Sequence, residues 1–417
     1  MYQKTVLSNG VRIVTEYIPY VKSVSLGFWI GTGSRNEGSD NHGISHFIEH
    51  LFFKGTEKRS AKDIAEAVDE VGGQLNAFTA KEYTCYYIKV LDSHAELAMD
   101  ILSDMLLHSR FDDEDIDRER EVVLEEVKMY EDTPDELVHD IHLDANWPDH
   151  GLGRNILGTV SSIERFNRDL VQDYFRQFYT PDNLVVAAAG NIPHEVVTEL
   201  AERYLGAFRG QRQVKGQSVP ILKPTRTMQG KDTEQVHLCL GTFSVPQDDP
   251  RIYSVHILNN ILGGGISSRL FQSIREERGL AYSVYSYQTN YSDAGLLTVY
   301  AGTRPANANQ VVELTLANIN TIKQQGISLQ EYKRTKEQLK GGLLLGLESS
   351  SSRMSRLGKM EITLGRYVTL DEIVRNIEAV KAEDIHAIAQ DLFRPDMFCF
   401  TALGPITELT VAEKVSF

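Results

Sequence analysis

The sequence predicts an α+β fold made of two tandem, structurally similar α/β-layer domains that arose by internal duplication. Three observations favour this fold. The chain repeats itself at about half its length, its strands and helices alternate without regular βαβ units, and its 417 residues exceed one ordinary core. Its composition, 41% hydrophobic and 24% charged, is typical of a globular chain.

The repeat consists of a Pro-Asp turn that leads into an apolar strand. Residues 180–192 match residues 394–406, and a spacing of 214 relates the identical pairs Pro181/Pro395, Asp182/Asp396, Gly190/Gly404 and Ile192/Ile406. A spacing of 212 relates Leu152-Gly153-Arg154 to Leu364-Gly365-Arg366. Self-similarity at this period indicates a duplicated domain rather than a solenoid.

Hydrophobic periodicity predicts the elements, because strands repeat every two residues and helices every 3.6. The predicted strands are 4–16, 23–31, 83–91, 183–190, 235–244, 282–288, 295–301 and 397–404. The predicted helices are 42–53, 61–71, 93–108, 113–131, 163–178, 193–206, 306–324, 328–346 and 377–393.

A linker is predicted at residues 209–231, between a first domain of residues 1–208 and a second of residues 232–417. The segment contains several glycines and prolines, as linkers do, and all of its charged residues, Lys231 included, are basic. A solvated tether is the simplest interpretation of this basic run, and a docking site is the alternative.

The net charge of −15 argues against nucleic acid as a partner. Acidic side chains that line a cleft would favour cationic peptides, whereas a solvated acidic surface would favour no ligand. No apolar run reaches the length of a membrane span, so we expect no membrane partner. The N-terminus has no secretory or transit character, which predicts a cytoplasmic location.

The most informative motif is His46-Phe47-Ile48-Glu49-His50, which reads H-x-x-E-H. Positions i and i+4 share one helix face, so His46 and His50 can hold one Zn²⁺. Glu49 can then reach a water on the same ion and take its proton. The alternative is two histidines that fall at helical spacing by chance. The apolar neighbours argue against it, since buried polar groups need partners.

A third ligand is expected, because hydrolytic zinc sites usually have three protein ligands. The best candidate region is 118–130, which has an apolar helical stripe at Val122, Val123, Val127 and Tyr130. Glu119 and Glu126 fall on that stripe, whereas Glu121 and Glu125 turn away from it. Carboxylates on an apolar face need a metal or an ion-pair partner. A wide helix face with glutamates at its edges remains the alternative.

Several motifs in order give the chain a family resemblance. They are His46–Thr56, Gly73–Thr79, Arg118–Glu126, Leu152–Gly158, Tyr179–Asn183, Gly263–Phe271 and Arg275–Ser283. With them the chain resembles the insulinase/pitrilysin (inverzincin) family of zinc metallopeptidases, in particular its mitochondrial-processing-peptidase β-like branch and the bacterial relatives of that branch.

The resemblance implies roles for particular residues. Glu126, 76 residues after His50, matches the third zinc ligand, and Glu119 matches a glutamate that supports the site. The implied substrate-binding segment is Asn76, Ala77 and Phe78. The second half has no H-x-x-E-H, but Arg275 and Tyr282 match a pair that binds substrate and donates to the oxyanion.

The resemblance also implies an architecture and a function. Family members enclose a chamber between two bowl-like halves, and this chain corresponds to one half of such a clamshell. We therefore expect a homodimeric zinc endopeptidase with one Zn²⁺ per chain, acting on peptides or unfolded, presequence-like segments. An obligate heterodimer and a non-catalytic structural or processing subunit are the alternatives. The His₂Glu ligand set suits zinc, with Mn²⁺ or Co²⁺ as alternative metals.

Overall fold

The computed structural model describes residues 2–213 and 218–406. These residues form two compact units, each with its own sheet and hydrophobic core. The first unit contains residues 2–128, 154–213 and 344–367, and the second contains 129–153, 218–343 and 368–406.

The first unit is built on a six-stranded sheet. Its strands are β1 (Tyr2–Val6), β2 (Arg12–Tyr17), β3 (Ser23–Ile30), β4 (Gln74–Thr79), β5 (Thr84–Leu91) and β6 (Leu184–Gly190). Their order is β1-β2-β6-β3-β5-β4, and only the β2–β6 pair is parallel. Among the described strands, β4 is therefore an edge strand that pairs only with β5.

The second unit repeats this topology with five strands. They are β7 (Arg226–Gly230), β8 (Val236–Ser244), β9 (Ala281–Asn290), β10 (Gly295–Thr303) and β11 (Cys399–Gly404). The order β7-β11-β8-β10-β9, with only β7 and β11 parallel, reproduces β2-β6-β3-β5-β4 strand for strand. The predicted α+β fold of two similar layered domains is confirmed.

The repeat-related glycines adopt the same conformation. Gly190 ends β6 at φ +138° and Gly404 ends β11 at φ +136°, a region that side chains rarely adopt. A Cβ on Gly190 would lie 2.1 Å from the carbonyl oxygen of Ser23, and one on Gly404 would lie 2.6 Å from that of Gln235. The identical residues thus mark a shared backbone constraint.

The helices lie between and beside these strands. In chain order they are α1 (Ile44–Leu51), α2 (Ala61–Asp69), α3 (Ala95–His108), α4 (Asp113–Glu131), α5 (Pro134–Asn146), α6 (Val160–Ile163), α7 (Arg168–Phe178), α8 (His194–Leu205), α9 (Ile252–Gly263), α10 (Ala308–Gln325), α11 (Leu329–Gly346), α12 (Ser350–Leu364), α13 (Leu370–Ala379) and α14 (Ala382–Leu392). No helix within the described ranges is both long and apolar enough to cross a membrane.

Two helices belong to the unit opposite to their place in the sequence. Helix α12 packs its buried Met354 against Trp29 on the sheet of the first unit. Helix α5 packs its buried Val138 with Cys239 and Leu403 on the sheet of the second unit. The compact units therefore differ from the predicted division at 209–231, because each half of the chain gives one helix to the other unit's sheet.

Some local predictions were wrong. The predicted strand 4–16 is a hairpin of β1 and β2, because the chain turns at Gly10, whose φ is +100°. The predicted linker contains β7, which pairs with β11, and its residues 214–217 lie outside the described ranges. The predicted helix 377–393 is divided between α13 and α14.

Candidate metal centre

Helix α1 is fixed in the first unit by its apolar face. Ile44, Phe47, Ile48 and Leu51 are buried in the core of the unit, as the sequence predicted. His46 is also buried, while Glu49 and His50 are partly exposed. The helix thus presents the three polar side chains of its motif along one side.

Helix α4 presents its own carboxylates to α1. Glu119 is buried and Glu126 is partly exposed, whereas Glu121 and Glu125 are exposed, as expected from the apolar stripe. The stripe itself is narrower than predicted, since the side chain of Val122 is 49% exposed. Glu119 and Glu126 therefore lie on the face that approaches α1.

Three predicted ligands meet at one point. The Nε2 atoms of His46 and His50 lie 3.7 Å and 3.5 Å from the Oε2 of Glu126. One ligand atom from each residue falls within 4.8 Å of the others. Zinc–nitrogen and zinc–oxygen bonds of about 2 Å in a tetrahedral site place neighbouring donors about 3.3 Å apart. The donor set and its spacing therefore fit a zinc ion.

Glu119 orients His50 from the side away from this point. Its Oε2 lies 3.1 Å from the Nδ1 of His50, and its Oε1 forms an ion pair with the Nζ of Lys54 at 2.6 Å. Burial raises the pKa of Glu119, but His50 and Lys54 outweigh that effect and leave it below its ordinary value. A carboxylate on Nδ1 fixes the ring so that Nε2 is free for a metal.

The two histidines differ in their electrostatic surroundings. Burial lowers the pKa of His46 to about 3, and the neighbouring His50 adds to that effect. Burial also lowers the pKa of His50, but Glu119, Glu126 and Glu49 outweigh it and leave the pKa above its ordinary value. His46 is therefore a neutral imidazole, the form that binds a metal.

Glu49 is held beside the cluster by strand β4. Its Oε2 accepts a hydrogen bond of 2.6 Å from the Oγ1 of Thr79. Burial raises the pKa of Glu49 above its ordinary value, and the Thr79 hydrogen bond offsets only part of that shift. A carboxyl group with a raised pKa suits proton transfer near neutrality.

The predicted substrate segment lies on β4. Asn76 and Phe78 are exposed, whereas Ala77 is half-buried and points to the other face. The ring of Phe78 contacts Trp29 edge-on, with centroids 5.6 Å apart, so it covers the buried indole. Strand β4 lies next to α1, and one of its edges pairs with no other strand of the described ranges; the backbone N–H of Ala77 donates to the Oδ1 of Asn76 at 2.8 Å.

Arg275 and Tyr282 lie together in the second unit. The guanidinium of Arg275, in the π-helical turn Phe271–Glu276, stacks on the ring of Tyr282 at 4.9 Å. It also stacks on Phe271 at 4.8 Å, and Tyr282 is 79% exposed. The predicted pair is thus a real local cluster with an accessible hydroxyl.

Two contacts at the cluster were not predicted. Thr79 and Lys54 are both part of the sequence motifs, but nothing in their spacing relates Thr79 to Glu49 or Lys54 to Glu119. These pairs arise where β4 and the turn Phe52–Lys54 pack beside α1 and α4, which only the fold determines.

Two models of known protein families match the sequence of the chain. A model of the insulinase family, peptidase family M16, matches residues 12–160, and a model of the M16 inactive domain matches residues 165–339. An uncharacterized zinc protease of Bacillus subtilis, YmxG, is 48% identical over 95% of this chain and 97% of its own length. The chain belongs to the insulinase family, peptidase family M16.

Other M16 relatives carry the same description. Uncharacterized zinc proteases of Streptomyces coelicolor and Mycobacterium tuberculosis are 41% and 43% identical, and the matches cover 97% and 94% of this chain and 90% of each relative. These names support a zinc peptidase, in agreement with the donor set of the first unit.

Solved structures show the same fold. A peptidase M16 inactive domain from Pseudomonas fluorescens has a TM-score of 0.91 at 19% identity, covering 97% of this chain and 98% of that one. A protease from Helicobacter pylori has a TM-score of 0.89 at 22% identity, covering 97% and 99%. At these identities the likeness concerns the fold alone.

The second unit of this M16 chain has no counterpart of the metal cluster among its described residues. Helix α9 contacts β9 as α1 contacts β4, but it carries one histidine, His256, and no carboxylate. This composition agrees with the inactive-domain model that covers most of the second half.

Proposed function

We propose that this M16 chain is a zinc-dependent endopeptidase that cleaves peptides or unfolded, presequence-like segments inside a closed chamber. The observation that carries the proposal is the convergence of His46, His50 and Glu126 on one point, with Glu49 beside them. We also retain the placement in the processing-peptidase β-like branch, which rests on the motifs alone.

In this proposal His46, His50 and Glu126 hold one zinc ion per chain. Zinc supplies a water of lowered pKa and polarises the carbonyl of the scissile bond. Glu49 would take the proton of such a water and later deliver it to the leaving amine, as a carboxyl group whose pKa is raised by burial can do. Thr79 keeps Glu49 aimed at the cluster through its hydrogen bond.

The substrate is proposed to add a strand to the free edge of β4. An edge strand offers unpaired N–H and C=O groups, so an extended peptide gains main-chain hydrogen bonds there. Asn76, Ala77 and Phe78 then contact the peptide next to α1. Of these, the exposed Asn76 and Phe78 give side-chain contacts, and Ala77 contributes its backbone.

Arg275 and Tyr282 are proposed to complete the site across a homodimer. The exposed Tyr282 hydroxyl would donate to the oxyanion of the partner chain's site, and Arg275 would hold a substrate carbonyl or carboxylate. The stacking of Arg275 on Tyr282 supports a joint role for the two. We propose a cytoplasmic location for the dimer and acceptance of cationic peptides, in line with the net charge of −15.

Metal removal tests this function. We expect dialysis against a chelator to abolish cleavage of a quenched, unfolded peptide, and stoichiometric Zn²⁺ to restore it. Equal turnover by the metal-free protein would contradict the zinc mechanism. A folded, zinc-loaded homodimer without turnover would favour the non-catalytic subunit.

A further inference from the structure

The N-terminus of α1 is capped by a buried carboxylate, Glu37. Its Oε2 accepts a hydrogen bond of 2.7 Å from the backbone N–H of Gly43, and its Oε1 accepts one of 2.9 Å from that of Ser45. Glu37 is only 5% exposed. Both donors belong to the first turn, whose N–H groups have no partner within the helix. A negative charge also complements the helix dipole at this end.

The loop that contains the Leu152–Gly158 motif holds the same end of the helix. Arg154 donates a hydrogen bond of 2.7 Å to the backbone oxygen of Glu37. The backbones of Gly43 and Gly158 touch, since a Cβ on Gly43 would lie 2.7 Å from the Cα of Gly158. Ser45 contacts the hydroxyl of Tyr174 at 2.9 Å. The first turn of α1 is thus held by Glu37, by the loop that contains Arg154 and Gly158, and by Tyr174.

The two histidines of α1 depend to different degrees on these contacts of the first turn. His50 has Glu119 on its Nδ1, whereas the buried Nδ1 of His46 has no hydrogen-bond partner in the described part of the chain. His46 follows Ser45 directly. The position of its ring is therefore determined by the backbone of the first turn, which Glu37 holds.

We propose that Glu37 is a positioning residue of the zinc site, which places His46 by fixing the first turn of α1. The inference rests on the proposed zinc function. Replacing Glu37 by glutamine keeps the shape but removes the charge, and it turns one oxygen into an N–H donor that faces a backbone N–H. The first turn must then shift, and His46 with it.

The test compares the wild type with Glu37→Gln and with Thr369→Ala, which removes the N-cap of α13 in the second unit. Zinc affinity is measured by chelator competition, and the geometry is measured by the visible spectrum of the Co²⁺-loaded protein. We expect Glu37→Gln to weaken zinc binding about tenfold, as loss of an outer-shell partner does. We also expect it to alter the Co²⁺ spectrum and to lower kcat without raising KM. Thr369→Ala should change only the thermal midpoint.

A folded Glu37→Gln protein with wild-type zinc affinity and Co²⁺ spectrum would overturn the inference. If Glu37→Gln does not fold, Glu37→Asp decides by the same two readouts, because it keeps the charge and shortens the reach by one methylene. A wild-type protein that binds no zinc would instead refute the proposed function, so the two failures are distinguishable.

Discussion

At the scale of single residues, the candidate metal centre holds its two histidines in two different ways. His50 is oriented by the side chain of Glu119, which also forms an ion pair with Lys54. His46 is oriented by its backbone, through the capped first turn of α1. The short i, i+4 motif therefore depends on partners from three other segments of the chain.

A buried histidine outside the centre makes stability depend on pH. Burial lowers the pKa of His142 to about 3, and its Nδ1 lies 2.9 Å from the hydroxyl of Thr401. In the unfolded chain its pKa is about 6.5. Below that pH, the His142 imidazole therefore binds a proton in the unfolded chain but stays neutral in the native state. Between pH 7 and 5.5 this lowers the free energy of unfolding by about 1 kcal/mol.

Urea unfolding measures this effect. Between pH 7 and 5.5, we therefore expect the free energy of unfolding to fall by about 1 kcal/mol less for His142→Asn than for the wild type. The matched control is Thr401→Val, which removes the hydrogen bond but keeps the imidazole. It should be less stable at every pH with the pH dependence of the wild type. Parallel curves for His142→Asn and the wild type would show that His142 does not titrate in this way.

At the scale of elements, α12 comes from the second half of the chain but is part of the first unit's core. Gly358 packs directly on the indole of Trp29, because a Cβ there would lie 2.2 Å from its Nε1. In α11, by contrast, a Cβ on Gly342 would meet nothing within 4 Å. Both glycines lie inside helices, so the same substitution should have opposite effects.

We expect Gly358→Ala to lower the free energy of unfolding by about 1–3 kcal/mol through overpacking. Gly342→Ala should raise it by about 0.5–1 kcal/mol, since alanine is the better helix former. Denaturant unfolding monitored by Trp fluorescence and circular dichroism measures both. A neutral or stabilising Gly358→Ala would contradict the packing of α12 on Trp29.

The elements also show what the sequence can predict. The local signals worked where the residues of a motif lie within one helix, as His46, Glu49 and His50 do in α1, and where repeated turns mark a duplicated strand, as in β6 and β11. Strand β4 was missed, because an edge strand with alternate residues exposed has a weak apolar pattern. The partners of Glu49, Glu119 and the first turn of α1 come from distant segments, so only tertiary packing reveals them.

At the scale of the whole molecule, the proposal of a site shared between two chains makes a distinct prediction. Glu49→Gln and Tyr282→Phe homodimers should each be nearly inactive, since the first lacks the base and the second the oxyanion donor. After subunit exchange, a mixed dimer contains one site with both Glu49 and Tyr282 intact. We expect an equimolar mixture to recover about a quarter of wild-type turnover.

The control is a mixture of Glu49→Gln with Glu126→Gln, both altered at the same site, which should recover nothing. Light scattering before mixing verifies that each variant is dimeric. Failure of the first mixture to gain activity, with exchange demonstrated by labelled chains, would mean that each site uses residues of one chain only or of a different partner.

The central claim is that Glu49 is the general base beside a zinc ion held by His46, His50 and Glu126. Elemental analysis paired with cleavage of a quenched basic peptide, for the wild type and Glu49→Gln, tests it most directly. We expect about one zinc per chain in both proteins, with turnover lower by at least about 10²-fold in the variant. A zinc-loaded Glu49→Gln protein that cleaves at the wild-type rate, or the absence of zinc from both, would contradict the claim.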